Sequence, residues 1–383
     1  MMHTTFVLAP DSFKESMTAS EACEAMQRGI AQVFDDAEFI SIPMADGGEG
    51  TVDAILAARQ GEKVQLDVMG PLPEQKVSAY FALVDAGQTA VIEMAQANGI
   101  HLLAAKQRNP ALTSTYGTGE LIKAALDRGV RKIIVGLGGS VTNDAGAGMA
   151  QALGVRFLDQ QGHPVSYGAA HLGSIQQIDL TALDPRLAST EIVIASDVTN
   201  PLTGSQGASQ IFGPQKGATP AMVEQLDQKL SHFAALVKQQ LALDVESVAG
   251  AGAAGGLGYG LMVFAQGRLV SGVEMVIEQT HLAAAIAQAD YVFTGEGAID
   301  AQTLLGKTPF GVAQVAQGLN KPVIACAGRV GSDIDALYAA GFSAIFGILD
   351  QSCDLDVACR QGAANLQRSC ENIARLLKLQ QTV

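Results

Sequence analysis

The chain has 383 residues, of which 48% are hydrophobic and only 16% charged, and its net charge is −14. That length suits two domains or one large one, and the composition is that of a compact globular chain with ample core, not a disordered one. No excess of Lys and Arg is present to neutralise phosphates, so nucleic acid and anionic membranes are poor candidates for the main partner.

The first apolar run, Phe6-Val7-Leu8-Ala9, reads as a strand and ends at Pro10-Asp11-Ser12-Phe13-Lys14. Thr18-Ala19-Ser20-Glu21 has the capping-box pattern and opens a helix through Cys23, Met26 and Ile30. A second strand, Phe39 to Pro43, leads into Ala45-Asp46-Gly47-Gly48-Glu49-Gly50-Thr51, followed by a helix from about Val52 to Ala58. This βαβα order is the opening of a parallel sheet.

The character changes after Gly61. Val64 to Val68, Val77 to Val84 and Thr89 to Met94 read as strands, with a hairpin at Asp85-Ala86-Gly87-Gln88. Alternation then resumes: a helix at Gly119 to Leu126, a strand at Lys132 to Val135, and a helix at Met149 to Leu153 ended by Gly154. The strand Ile192 to Ser196 delivers Asp197-Val198-Thr199-Asn200-Pro201. Thr219-Pro220 starts a helix whose Val223, Leu226, Leu230, Phe233 and Val237 share one apolar face.

From about Arg268 the rhythm is regular. The strands Tyr291 to Thr294, Pro322 to Cys326 and Ala344 to Ile348 end at the turns Gly295-Glu296-Gly297 and Ala327-Gly328-Arg329 and at the approach to a C-terminal helix carrying Ile373, Leu376 and Leu377. Parallel-type units at both ends, with a hairpin-bearing region between, predict one α/β domain built from residues 1–65 plus 268–383. A second α/β domain is inserted at 66–267, and the active site is expected in the cleft between them.

The five cysteines are odd in number and form no CxxC pair, so neither a disulfide framework nor a zinc site is indicated and a cytoplasmic location is expected. No signal peptide pattern opens the chain. The uncharged run Val248 to Ala265 contains six glycines, too many for a membrane span, and reads as a buried loop and helix.

Nearly every strand ends in a polar or glycine-rich turn, and open α/β sheets bind ligands outside the carboxyl ends of their strands. The most concentrated turn is Gly136 to Gly148. There Gly138 and Gly139 permit close backbone approach, Ser140, Thr142 and Asn143 add short donors, and Asp144 adds a carboxylate. It reads as an anion cradle with Asp144 as a metal ligand, or as a turn in which Asn143 or Asp144 merely caps the helix.

Two nucleotide motifs fall short. Ala301 to Thr308 matches a P-loop except that Ala301 replaces glycine and the segment lies well after the strand, although Lys307 has the reach for a phosphate. Gly250 to Gly255 fits GxGxxG, but no convincing strand precedes it. Neither GxSxG nor HExxH is present. What remains is an inventory of carboxylates, glycine N–H groups, hydroxyls and a few cations (Lys14, Lys216, Arg329), which suits Mg²⁺-assisted phosphoryl transfer.

The turns as a set are specific. Pro10 to Ser16, Ala45 to Thr51, Gly138 to Asp144, Asp197 to Leu202, Gly207 to Gly217, Gly250 to Gly256 and Thr294 to Gly297 resemble, in collinear order, the bacterial glycerate kinases of the first type. The resemblance runs from near residue 5 into the C-terminal helix. It implies a Rossmann- or flavodoxin-like parallel-sheet domain interrupted by a mixed-sheet α/β domain. It also implies an ATP- and Mg²⁺-dependent kinase of D-glycerate yielding 2-phosphoglycerate, in sugar-acid or glyoxylate breakdown. A departure is Ala298, where the family commonly has arginine.

On this reading Asp197 or Asp46 is the base, Asp197 being the first choice and the other helping Mg²⁺, and Lys14 assists catalysis. Lys14, Arg329 and Ser12 hold the carboxylate or the transferred group, and Asp46 and Asp144 serve the metal. Asp11, Gly47, Gly48, Gly138, Gly139, Ser140, Thr142, Asn143, Asn200 and Glu296 complete the binding set. The alternatives are a 3-phosphoglycerate-forming kinase and an NAD-dependent hydroxy-acid dehydrogenase using Gly250 to Gly255. The partners are small molecules, and no oligomeric state follows from the sequence.

Overall fold

A computed structural model describes residues 3–380. Its strands, in chain order, are β1 (Thr5–Leu8), β2 (Glu38–Ser41), β3 (Gly61–Met69), β4 (Lys76–Val84), β5 (Thr89–Glu93), β6 (Lys132–Gly136) and β7 (Arg156–Leu158). They continue with β8 (Gln177–Asp179), β9 (Glu191–Ala195), β10 (Arg268–Val270), β11 (Tyr291–Ile299), β12 (Val323–Val330) and β13 (Ala344–Gly347). The chain forms two compact units. One takes the chain up to Asp46, Asp53–Arg59 and the chain from Val273 on; the other takes Gly47–Val52 and Gln60–Gly272.

The first unit holds a fully parallel sheet in the order β13-β12-β11-β1-β2. Counted within the unit this is the flavodoxin-like order 2-1-3-4-5, with its switch point between β1 and β11. Phe6 on β1 anchors the core, its ring 5.1 Å from Phe34, 5.5 Å from Tyr291 and 6.0 Å from Phe293. The helix Ala19–Ala31 begins with the expected capping box. Glu21 N–H donates to Thr18 Oγ1, and the Glu21 carboxylate accepts from Thr18 N–H. In the C-terminal helix Gly362–Gln380, Ile373 is buried but Leu376 is 58% exposed, so Leu376 does not belong to the core.

The second unit holds a mixed sheet, β10-β9-β6-β5-β4-β3. β5, β6, β9 and β10 are parallel, while β4 and β3 are added antiparallel through the predicted hairpin, with Val84 opposite Thr89. The helix Pro220–Leu241 starts at the Thr219 cap and buries Val223, Leu226, Leu230, Phe233 and Val237, the predicted stripe. The glycine-rich run becomes the buried helix Ala253–Phe264. Among the described residues no helix is long and apolar enough to cross a membrane. A parallel sheet plus a mixed sheet is the fold class the sequence implied.

Two local readings need correction. Gly295-Glu296-Gly297 and Gly328-Arg329 are not turns, because β11 and β12 stay paired as far as Ile299 and Val330. Glycine here serves close packing: a Cβ on Gly295 would lie 2.2 Å from the Cys326 carbonyl oxygen. The antiparallel pair β7–β8 escaped the sequence reading, since three-residue strands are too short to show alternation.

Candidate active site

In the first unit, the carboxyl ends of β1 and β11 bring together groups from four separate stretches. The backbone N–H of Asp11, just past β1, donates to Gly295 O at 2.8 Å. The Asp11 carboxylate accepts from Ser12 N–H at 2.6 Å and from the Thr308 hydroxyl. Thr308 is the first residue of the helix Thr308–Gly318, with Pro309 behind it. On β11, Glu296 Oε1 accepts from Lys307 Nζ at 3.2 Å and from Thr303 Oγ1 at 3.3 Å.

The electrostatics of this cluster are unbalanced. Desolvation pushes the Asp11 carboxyl up to about 7; the negative charges of Asp46 and Glu296 add to it, against the Thr308 and Ser12 hydrogen bonds. Glu296 is also raised by desolvation, with Lys307 as the main opposing influence and Lys14 assisting. Lys14 is exposed. Arg329 on β12 reaches Asp300 Oδ2 at 3.2 Å from a side chain that is 69% exposed, against 25% for Asp300, and Ala298 is its register partner on β11. A guanidinium so open to solvent is screened and can move to an incoming anion.

In the second unit the register sets Glu93, Gly136 and Ala195 side by side across β5, β6 and β9, with Val270 of β10 next to Ala195. The polar turns after these strands therefore leave from one edge of the sheet. Asp197 Oδ1 accepts from Gly272 N–H at 3.0 Å, which joins the turn after β9 to the end of β10. Glu93, buried, accepts from Val52 N–H at 2.7 Å. Gly47 (φ +86°) lies in the same stretch, and a Cβ on Gly138 would come within 2.4 Å of Gly48 Cα. Asn200 Nδ2 donates to Gln206 O, which holds its own turn together.

The Gly136 to Gly148 loop is closed in on itself. Asp144 is fully buried. Its Oδ2 accepts from Thr115 N–H (2.8 Å), Thr115 Oγ1 (3.0 Å) and Gly148 N–H (3.2 Å), and its Oδ1 accepts from Gly146 N–H (3.2 Å). Burial raises its pKa while these donors hold it down. Lys216, also buried, donates to Thr142 O at 2.7 Å; burial pulls its pKa down to about 7, opposed by Asp144. Asn143 Nδ2 donates to Ser209 Oγ, and Thr142 and Ser140 are buried as well. Gly255 (φ +68°) packs so closely that a Cβ would meet Thr142 O at 1.9 Å. Only Gly139 of this loop is exposed.

The structure thus places Asp11, Ser12 and Glu296 in one cluster, with Asp46 and Lys14 acting on it electrostatically, and sets Arg329 on the neighbouring strand. It gathers Gly47, Gly48, Gly138 and Asp197 at the edge of the other sheet. Thr142, Asn143 and Asp144 are enclosed: Asp144 accepts four hydrogen bonds from protein donors, three on Oδ2 and one on Oδ1. Gly250 to Gly255 follows the helix Pro220–Leu241 and a loop, not a strand, so it lacks the context of a dinucleotide motif. Sequence reasoning missed Glu93, Thr115 and the tie from Thr308 to Asp11. The only signal for the last was the imperfect P-loop pattern ending at Lys307-Thr308.

The family model described as Glycerate kinase family matches residues 6–378. The chain is 51% identical over 372 residues to a Haemophilus influenzae protein named glycerate kinase, covering 97% of this chain and 98% of that one. It is 48% identical over 373 residues to the Escherichia coli glycerate 2-kinase, with 97% and 98% covered. The crystal structure of a Salmonella typhimurium LT2 protein assigned as glycerate kinase 2 superposes with a TM-score of 0.88 at 45% identity, covering 100% of both chains.

Proposed function

The chain belongs to the glycerate kinase family, and on that premise we propose that it transfers the γ-phosphoryl group of ATP to the 2-hydroxyl of D-glycerate, giving 2-phosphoglycerate and ADP. The observation that best supports this reading is the Asp11 cluster. It lies at the switch point of a flavodoxin-ordered parallel sheet, where ligands of such sheets bind, and it carries excess negative charge beside exposed cations.

Phosphoryl transfer asks the protein mainly for positioning and charge stabilisation. Lys14 and Arg329 provide mobile positive charge for the transferred phosphoryl group or the glycerate carboxylate, and Ser12 provides a short donor. Asp197, fixed by the Gly272 N–H, is the proposed base that takes the proton of the attacking hydroxyl. The loop residues Gly138, Gly139 and Ser140 shape the backbone at that sheet edge.

Among the described residues no group of three or more carboxylate, His or Cys side chains is arranged to hold a metal ion. Mg²⁺ is commonly held by only one or two carboxylates plus substrate phosphates, so the residues present fit it. Asp46 with Asp11 would hold it, since the negative charge of Asp46 acts on the desolvated Asp11 carboxyl and a cation there would relieve both the burial and the like charge. When bound, the ion neutralises charge on the β- and γ-phosphates. Asp144 has no part in this assignment.

Phosphorus NMR of the enzyme with ATP, Mg²⁺ and D-glycerate tests the reading. ATP should be consumed only when D-glycerate is present, with growth of the 2-phosphoglycerate resonance. A 3-phosphoglycerate resonance overturns the regiochemistry alone. No turnover, together with NADH oxidation or formation on hydroxy acids, overturns the kinase. Asp197→Asn should keep the fold and lose roughly 100-fold or more in kcat; near-normal turnover removes Asp197 from the mechanism. A second assignment of the base is favoured by the Asp11 value near 7, which suits proton transfer at neutral pH.

A further inference from the structure

We propose that the first unit binds the nucleoside moiety of the nucleotide in a pocket beside the Asp11 cluster, a refinement that rests on the kinase reading above. The pocket has a volume of about 300 Å³ and runs from the start of the chain's first turn to the segment after β13. Its floor includes Gly297 on β11 and Gly328 on β12, which fall between the register pairs Glu296–Ala327 and Ala298–Arg329. A Cβ on Gly297 would make only ordinary contacts, 3.7 Å to Lys14 N and 3.9 Å to Phe13 Cα, so the floor there is bare backbone beside the Phe13–Lys14 turn. Leu349 and Leu355 form an apolar rim, 46% and 69% exposed, and Lys14 and Arg329 line the pocket as its cations.

Each of these features selects for a flat heterocycle with a phosphate tail. D-Glycerate is a three-carbon acid with no apolar surface to cover leucines. A purine offers two flat faces, one for the glycine floor and one for the leucines. The volume sits at the lower end for small-molecule pockets, enough for base and ribose but not for a triphosphate as well. The phosphates must leave the pocket, and its charged lining places Lys14 and Arg329 to receive them. Lys14 also acts electrostatically on Glu296 of the carboxylate cluster, so the two sites adjoin. Arg329, itself 69% exposed, gives up a single ion-pair partner, Asp300, in moving to a phosphate.

The chain has no tryptophan, which makes Leu355→Trp a clean reporter at an exposed rim position. Adding ADP or adenosine should change its emission saturably, whereas D-glycerate and inorganic triphosphate should not. In a second variant, Ala358→Phe, the pocket is filled from the short helix Leu355–Arg360. Its apparent KM for ATP should rise about ten-fold or more while the KM for D-glycerate is unchanged. An emission response to triphosphate but not to adenosine, or an unaltered ATP KM in a variant that still phosphorylates D-glycerate, overturns the pocket assignment. A saturable nucleotide response in Leu355→Trp, together with a wild-type protein that transfers no phosphate to D-glycerate, upholds the pocket and overturns the kinase reading instead.

Discussion

The Gly136 to Gly148 loop of the second unit and the Asp11 cluster of the first are both strand-end turns with a carboxylate beside small donors, yet they have opposite physics. In the loop, the charged groups are satisfied internally: Asp144 is enclosed by four donors and Lys216 donates to Thr142 O, while Asn143 Oδ1 is buried without a partner and the glycines are spent on backbone-to-backbone packing. In the cluster, Asp11 and Glu296 are half-buried, desolvation raises both, and for Asp11 the charges of Asp46 and Glu296 add to the rise while only Ser12 N–H and the Thr308 hydroxyl oppose it. A closed network holds a fold in place; an unbalanced one has affinity to offer a ligand. Density of glycine and hydroxyl residues does not separate the two cases, but the number of donors around the carboxylate does: four on Asp144 and two on Asp11.

The largest test of this contrast is Asp144→Ala. It strands four donors, the N–H groups of Thr115, Gly146 and Gly148 and the Thr115 hydroxyl, and leaves Lys216 buried without its nearby carboxylate. Breaking a buried pair this way costs about 3–5 kcal/mol. The urea midpoint should drop accordingly, while the substrate KM values of the protein that stays folded remain close to wild type. A variant of normal stability with lost activity would reverse the assignment and make the loop the reactive site.

Asp11→Asn should show the opposite signature. Turnover should fall by roughly 100-fold, whereas stability at neutral pH should not fall and should rise. The sign follows from linkage. The folded protein holds a proton on Asp11 up to about 7, while the unfolded chain releases it near 3.8, so this residue makes stability fall as pH rises across that window. Below the window both states are protonated and the penalty vanishes. Urea titrations from pH 4 to pH 8 should show a downward slope in wild type that is smaller in the variant; equal slopes would mean that Asp11 ionises normally.

Much of the frame was legible in the sequence. The strand-and-turn rhythm marked the carboxyl edges, and Asp11, Glu296 and Asp197 were picked out because they follow apolar runs. Periodicity is silent about pairing across the chain. Thr308 binds Asp11 from 297 positions away, Glu93 caps Val52 from 41 away, and Asp144 meets Thr115 from 29 away. It also cannot say whether a glycine faces a ligand or another backbone. That is why Gly138, which lies against Gly48, reads as part of a cradle, and Gly255, which lies against Thr142, as part of a GxGxxG match. Gly295 to Gly297 read as a turn for a related reason: glycine breaks strand propensity locally, while the ladder to β12 restores it.

The smallest expected effect isolates Gly139, the loop residue that is exposed. At φ +72° an alanine is strained, and the nearest atom to its Cβ would be Ala95 Cβ at an ordinary 3.4 Å, so the cost is backbone strain alone, about 1 kcal/mol. Gly138→Ala, by contrast, drives a Cβ to within 2.4 Å of Gly48 Cα and should destabilise more. Because Gly139 has free space on its outer side, it is also the point where this loop has room to meet a substrate. Gly139→Ala should lower the urea midpoint slightly and leave both KM values unaltered if the loop only supports the sheet edge. Gly139→Val then gives the finer reading: its branched side chain reaches further into the same space. A rise in one KM with little further loss of stability would show the exposed tip of an otherwise closed loop to be a binding surface, and would name the substrate it meets.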